Sequence, residues 1–301
     1  MSTAIIVLAA GQGTRMASDL PKVLHEVAHA PLLHHVMRAA AALTPERTVV
    51  VVGNGAEAVA DAARKLDPAA ETAHQADRLG TAHAVAQARA ALEDFAGDAL
   101  VLYGDTPFVR PETLKAMQAA RAEGAAVVVL GFEAADPTGY GRLITGPDGA
   151  LEAIVEHKDA TEVQRAITLS NSGVVCADAP TLFSLIEAVG NDNAKREYYL
   201  TDIVAIARAR GLSCRAVTCD EAETLGVNSR AELAGAEAIF QAKARAAAMA
   251  GGATLTTPET VFFAHDTRLG RDVIVEPFVT MGPGVTVADG ARIRAYSHLE
   301  G

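Results

Sequence analysis

The sequence predicts an α/β fold with a doubly wound, mostly parallel sheet, followed by a helical arm and the start of a parallel β-helix. Three observations carry this. Continuous apolar runs alternate with Ala-rich helical stretches over the first two thirds of the 301 residues. A long helix with its own cap and stop signals comes next. A hydrophobic period of six then fills the remainder.

In chain order, residues 4–9 (AIIVLA) form an unbroken apolar run, as a strand covered on both faces requires. Residues 48–53 (TVVVVG), 99–103 (ALVLY) and 125–130 (AAVVVL) read the same way. Helical stretches are predicted over 32–43, 56–66, 81–92 and 111–123, the last opened by Pro111 at a first helical position. This order places ligands at the carboxyl ends of the strands. Residues 140–144 and 151–157 flank Gly146-Pro147-Asp148-Gly149 and predict a hairpin. A strand at 173–177 and helices near 180–189 and 200–210 follow. Ser229 with Glu232 three residues on predicts a capping box for a helix over 230–250, stopped by Gly251-Gly252.

Beyond Gly252, Phe263, Leu269, Val275, Met281, Val287, Ile293 and Leu299 recur every six residues, with Ala264, Gly270, Gly282 and Ala288 beside four of them. Seven matches in register are the pattern of a hexapeptide β-helix. The array stops at Gly301 without a capping helix, so the chain is expected to be a fragment, or to have its open end covered by a partner. The expected organisation is a domain over 1–228, a linker helix over 229–252 and an incomplete β-helix over 253–301.

Acidic residues outnumber basic ones 37 to 26, for a net charge of −11, which argues against nucleic-acid binding. With 4% aromatics and no Trp, a base-stacking platform is not expected either. A few local cations can still hold a small anion. Three cysteines are too few for a disulfide framework and read as buried hydrophobes in a reducing compartment. No membrane-spanning run or signal peptide is visible, so a cytoplasmic protein without membrane partners is expected.

The strongest local signal is the glycine-rich loop Leu8-Ala9-Ala10-Gly11-Gln12-Gly13-Thr14-Arg15-Met16 after the first strand. Its glycines let backbone N–H groups approach a phosphate, and Thr14 and Arg15 add donors. No Gly-Lys-Ser/Thr closes it, and the third glycine of a dinucleotide fingerprint is missing. Pro21-Lys22 supplies a second cation, so Arg15 and Lys22 could flank a triphosphate. Asp105 ends a buried strand, where such a sheet places ligand groups. These residues also admit plain readings: Lys22 as a solvated lysine, Asp105 as a turn aspartate, Gln75 as a surface residue. The nine histidines form no metal motif, and no Ser-His-Asp arrangement is present.

The loop and the following Leu20-Pro21-Lys22-Val23-Leu24-His25 resemble the opening of sugar-1-phosphate nucleotidylyltransferases, most closely their bacterial N-acetylglucosamine-1-phosphate uridylyltransferase branch. Further blocks match in family order: Gln75 with Leu79-Gly80-Thr81-Ala82-His83, Tyr103-Gly104-Asp105, Thr138-Gly139-Tyr140-Gly141-Arg142, Val155-Glu156-His157-Lys158, Asn171-Ser172-Gly173, Glu197-Tyr198-Tyr199-Leu200-Thr201-Asp202 and Gly226-Val227-Asn228. The resemblance covers residues 4 to about 230 and agrees with the hexapeptide tail.

It implies a Rossmann-like nucleotidyltransferase domain and a left-handed β-helix. Arg15 and Lys22 would act on the triphosphate, beside Leu8, Ala9, Ala10 and Gly11. Mg²⁺ would sit on Asp105 and Asn228, a sparse ligand set of the kind this ion accepts. Gln75 and Gly80 would meet the uridine, and Gly141, Glu156 and Asn171 the sugar. Thr81, Tyr103 and Gly104 would be further substrate contacts, with Tyr198, Tyr199 and Thr201 near the sugar. Asn228 can also cap the long helix. Gln12 and Arg196 depart from the family, where Lys and Gly are common. The implied reaction joins UTP and N-acetylglucosamine 1-phosphate into UDP-N-acetylglucosamine and pyrophosphate, for cell-envelope precursors. A related enzyme of other sugar or base specificity is the first alternative; a non-catalytic nucleotide-sugar sensor is the second, against which the intact Arg15, Lys22, Asp105 and Asn228 set argues. In the family a full-length β-helix forms a homotrimer and acetylates glucosamine 1-phosphate; these 301 residues are not expected to do so.

Overall fold

The computed structural model describes residues 2–193 and 195–301. By contact the chain divides into two compact units: Met1–Gln12, Asp19–Val23 and Leu33–Gly226 in the first, and Gly13–Ser18, Leu24–Leu32 and Val227–Gly301 in the second.

The first unit is built on a nine-stranded sheet. Its strands are β1 (Thr3–Ala9), β2 (Arg47–Val52), β3 (Glu71–His74), β4 (Asp98–Tyr103), β5 (Val127–Glu133), β6 (Arg142–Thr145), β7 (Leu151–Val155), β8 (Leu169–Asp178) and β9 (Cys214–Cys219). The order along the sheet is β3-β2-β1-β4-β8-β5-β9, with the β6/β7 hairpin attached to β8. Pairing is parallel except around β8 and within the hairpin. The unbroken apolar runs have the reason the sequence implied: Ala4, Ile5, Ile6 and Val7 are all 0% exposed, so β1 is covered on both faces.

The helices of this unit are α1 (Leu32–Ala41), α2 (Ala56–Leu66), α3 (Thr81–Ala86), α4 (Pro111–Ala122), α5 (Glu162–Arg165), α6 (Ala179–Ile186) and α7 (Asp202–Ala209). Two strands escaped the sequence reading. β3 (ETAH) and β9 (CRAVTC) are the sheet's edges, each with one partner and several exposed or half-buried residues, so neither carries a continuous apolar run. The helix expected over 81–92 ends at Ala86, because the amides of Gln87, Ala88 and Arg89 each bond three residues back and the chain tightens into 3₁₀ turns.

In the second unit, α8 (Arg230–Ala250) has the expected bounds. Its start differs in detail from a capping box. Ser229 accepts from the Glu232 amide at 3.2 Å, but the Glu232 carboxylate takes the Asn228 amide, at 2.6 Å, instead of that of Ser229. Short strands follow in three sets of parallel pairs; Thr254 and Leu255 pair with residues 20 positions on, and every later pair lies 18 residues apart, such as Ile274 with Arg292 and Thr280 with His298. Three hexads therefore make one coil. Val261, Val273, Val279 and Val285 also point inward, two residues before the periodic set, and are 0–5% exposed. Gln241 of α8, 2% exposed, bonds both the carbonyl and the amide of Phe263, at 2.7 and 2.8 Å, and stitches the helix to the first coil. Among the described residues no helix is long and apolar enough to cross a membrane.

One buried carboxylate anchors the start of α4 in the first unit. Glu223, 1% exposed, accepts from the Arg110 amide at 3.0 Å, from the Arg110 guanidinium and from the Thr113 hydroxyl at 2.6 Å, at the start of α4. Burial pushes its pKa up, but these hydrogen bonds outweigh burial and hold it below the ordinary value. A lowered carboxylate stabilises the fold above its unfolded pKa and loses that contribution as pH falls through the folded one. Glu223→Ala is expected to cost about 1–3 kcal/mol at neutral pH, measured by urea unfolding. The gap to the parent chain should close in acid, and a gap independent of pH would count against this role.

Candidate functional site

The register of the parallel strands decides where the site forms. Leu8 of β1 is level with Tyr103 of β4, Ala9 with Val52 of β2, and Val52 with His74 of β3. The strand order reverses between β1 and β4, so a crevice opens past their carboxyl ends. Gly11, Asp105 and Gln75 each follow one of these strands by one or two residues and emerge on the same rim. There they line a pocket of about 590 Å³ together with Leu8, Ala10, Lys22, Gly80, Thr81, Tyr103, Glu156 and Asn171. That volume is ordinary for a small-molecule site.

At the end of the pocket beside the glycine-rich loop, Lys22 Nζ makes an ion pair with Asp105 Oδ2, and both side chains are largely buried, at 13% and 15% exposed. Next to Lys22, Pro21 packs on Gly55. Gly55 has φ 68°, and a Cβ on it would come within 2.4 Å of Pro21 Cγ. The Gly104 amide donates to the Leu8 carbonyl at 3.0 Å and joins the two strand ends.

At the opposite end, two segments far apart in sequence are zipped together. Tyr198 N donates to Leu79 O at 2.6 Å, Ala82 N to Tyr198 O at 2.9 Å, and Leu200 N to Thr81 Oγ1 at 2.9 Å. Gly80 sits inside this zipper at φ 112°, where a Cβ would lie 2.4 Å from the Tyr198 carbonyl. Only glycine fits. Gln75 is 7% exposed, and its amide nitrogen faces Gly80 O at 3.3 Å and His83 Nδ1 at 3.1 Å. Burial holds the Tyr103 phenol well above its usual pKa, with Asp105 and Glu156 adding to the effect, so it stays neutral. Its ring lies against Gly173, where a side chain would collide with it.

A third group sits on β8 and the hairpin. Asn171 lies where the β8–β5 register shifts; its side-chain oxygen accepts from the Gly173 amide at 3.0 Å, and its own amide donates to Gly141 O at 2.8 Å. A Cβ on Gly141 would come 3.6 Å from Glu156 Oε1 and 3.6 Å from Asn171 Cβ, so these three residues are neighbours. The Thr201 hydroxyl donates to Glu156 Oε1 at 3.3 Å. Burial raises the Glu156 pKa, with Asp159 and Asp202 adding to it against the Thr201 bond.

Several expected residues sit off the lining. Ala9 and Gly104 stand beside it in the strand ends, and Gly141 contributes through its contacts with Glu156 and Asn171. Tyr199 and Thr201 line the pocket, whereas Tyr198 acts through its backbone and packs on the core. Arg15 and Asn228 belong to the second unit. Arg15 is exposed on the turn Thr14–Met16, whose Met16 carbonyl accepts from Arg230 Nε at 3.1 Å. Arg196 adopts φ 55°, the left-handed region that favours glycine. Sequence reasoning missed Arg78, Asn193 and Lys195, which line the pocket. Asn193 bonds the Lys195 and Glu197 amides and the Glu197 carbonyl; its signal was the turn-forming run Asn191-Asp192-Asn193. Among the described residues no group of three or more His, Cys, Asp or Glu could hold a metal, so a cation here would rely on few protein ligands.

Comparisons with known proteins bear on the family and the fold. A profile of the MobA-like NTP transferase domain matches residues 5–198. The chain is 65% identical to the bifunctional protein GlmU of Cereibacter sphaeroides over its whole length, spanning 66% of that relative. It is 62% identical to the bifunctional protein GlmU of a Ruegeria species, spanning 67% of it. It thus covers about two thirds of these relatives' length. Among solved structures, a UDP-glucose pyrophosphorylase in complex with UDP-glucose matches with TM-score 0.65 and 17% identity, over 81% of this chain and 100% of that one. The inositol-1-phosphate CTP transferase of T. maritima matches with TM-score 0.60 and 18% identity, over 76% of this chain and 90% of that one. These two share the fold. The profile over the sheet and its loops, and the identity to GlmU relatives along all 301 residues, place this chain in the MobA-like NTP transferase family.

Proposed function

We propose that this chain is a cytoplasmic uridylyltransferase that makes UDP-N-acetylglucosamine and pyrophosphate from UTP and N-acetylglucosamine 1-phosphate. The supporting observation is that one pocket gathers an amide reader (Gln75), a phosphate-end cation and carboxylate (Lys22, Asp105) and a hydroxyl-binding pair (Glu156, Asn171). A phosphate oxygen of the sugar phosphate attacks the α-phosphorus of UTP in line. The bond from that phosphorus to the bridging oxygen breaks, and pyrophosphate leaves with the electron pair. No protein nucleophile is needed, because the attacking oxygen is already anionic.

Lys22 supplies a cation to the triphosphate, and we assign Arg15 to the same task. The Asp105 carboxylate, a hard oxygen donor facing the pocket, suits Mg²⁺, with the Asn228 amide oxygen as the second protein ligand we propose. When bound, the ion would neutralise charge on the phosphate oxygens. Glu156 accepts sugar hydroxyls, Asn171 offers its amide, and the backbone at Gly141 passes beside both. Residues 1–228 form the transferase domain on this reading, with the helix over 229–252 linking it to an incomplete β-helix over 253–301. In the longer protein the β-helix would assemble a homotrimer and add acetyl transfer to glucosamine 1-phosphate.

The same fold serves a UDP-glucose pyrophosphorylase and a CTP transferase, so the choice of base and sugar rests on the pocket residues. Asp105→Ala should leave the melting temperature within a few degrees but reduce pyrophosphate release about 10²–10³-fold. Near-parental release would refute the assignment. The raised pKa of Glu156 makes it take up a proton at a higher pH than an ordinary glutamate. The KM for the sugar phosphate should therefore rise on mild acidification, with kcat less affected. Glu156→Gln should start from a higher KM and lose that acid limb; an unchanged limb would assign it to another group.

A further inference from the structure

Gln75 can read a base in two opposite ways. With its oxygen toward the ligand it accepts the N3–H of uracil; with its nitrogen there it donates to the bare N3 of cytosine. An isolated amide turns easily between the two. Its neighbours decide. The Gly80 carbonyl, which can only accept, lies 3.3 Å from Gln75 Nε2. His83 Nδ1 lies 3.1 Å from the same Nε2, a contact whose donor depends on the ring's tautomer. The Gly80 bond requires the amide nitrogen to face inward, which leaves the oxygen for the pocket.

His83 has a second amide at its other nitrogen. Gln87 Nε2 lies 3.3 Å from His83 Nε2 and also donates to the His83 carbonyl at 3.0 Å. A neutral imidazole accepts at one nitrogen only, so one of the two amides must yield. Gln87 is half-exposed and can turn to water, whereas Gln75 is 7% exposed and tied to Gly80. The acceptor is therefore Nδ1, with the ring proton on Nε2. An N–H at Nδ1 would instead drive the Gln75 amide to present its nitrogen to the base.

We infer that His83 is a specificity-determining positioning residue: by accepting from Gln75 it fixes the amide so that the pocket favours uracil over cytosine. The inference rests on the reading that Gln75 meets the base. His83 itself lies behind Gln75 and is not among the residues lining the pocket.

The test is kcat/KM for UTP and for CTP, with N-acetylglucosamine 1-phosphate as acceptor, in the parent chain and three variants whose melting temperatures are recorded. His83→Phe keeps ring volume but removes the acceptor, and should narrow the UTP:CTP ratio about tenfold, the size of one net hydrogen bond. His83→Asn places an amide oxygen near the Nδ1 position and should restore the ratio to within about threefold of the parent. Gln75→Ala should erase most of the preference. If His83→Phe lowers both nucleotides equally while Gln75→Ala narrows the ratio, the role of His83 is overturned and the reading of Gln75 stands. If Gln75→Ala leaves the ratio unchanged, the reading of Gln75 fails and the inference falls with it.

Discussion

Everything at the candidate site depends on four parallel strands ending level with one another. β1, β2, β3 and β4 are paired in a register that brings Ala9, Val52, His74 and Tyr103 to a common rim. A parallel sheet delivers all its strand ends of one polarity to the same edge. The reversal of strand order beside β1 keeps that edge open to a ligand. Slipping any of these strands by one residue would exchange the side chains of its two faces and carry its site residue off the rim. The chemistry is thus anchored in the most deeply buried part of the molecule, where Ile5, Ile6, Val101 and Val50 are 0% exposed.

Onto that rim the chain adds two closures. The Lys22–Asp105 ion pair ties the segment after the glycine-rich loop to the end of β4. The backbone zipper between Leu79–Ala82 and Tyr198–Leu200 ties the Gln75 end of the pocket to the segment that carries Tyr199 and Thr201. Gly80 is the narrow point of the second closure, since its backbone passes where no side chain fits. Ion pair and zipper differ in kind. The first joins charges that a phosphate and a cation can each engage, whereas the second is a set of peptide hydrogen bonds that no substrate replaces.

Much of this was legible in the sequence because the central strands are covered on both faces and so must be apolar throughout. The same reasoning explains what was not. The edge strand β3 has one neighbour and little apolar character, yet it delivers Gln75. The second inward row of the β-helix, Val273, Val279 and Val285, shows no unbroken period, because Thr267, Ala291 and Ser297 occupy the same place in other hexads. The Glu232 carboxylate found the Asn228 amide in place of that of Ser229, a choice between adjacent donors that residue spacing does not resolve. Nor does a linear reading show that Gly13–Ser18 and Leu24–Leu32 group with the second unit, because that grouping comes from contacts more than 200 positions apart, such as Ala28 N to Glu237 and Arg230 to Met16 O. The Asn193 loop is similar: its turn residues were visible, but not that the turn borders the pocket.

The central claim is that this rim joins a nucleoside triphosphate to a sugar phosphate, with no water or protein group as the acceptor. Phosphorus NMR of the chain with Mg²⁺, UTP and N-acetylglucosamine 1-phosphate tests it most directly. The account predicts that UDP-N-acetylglucosamine and pyrophosphate appear in equal amounts, and that UTP is unchanged when the sugar phosphate is left out. Consumption of UTP without the sugar phosphate, or its persistence when both substrates are present, would contradict it.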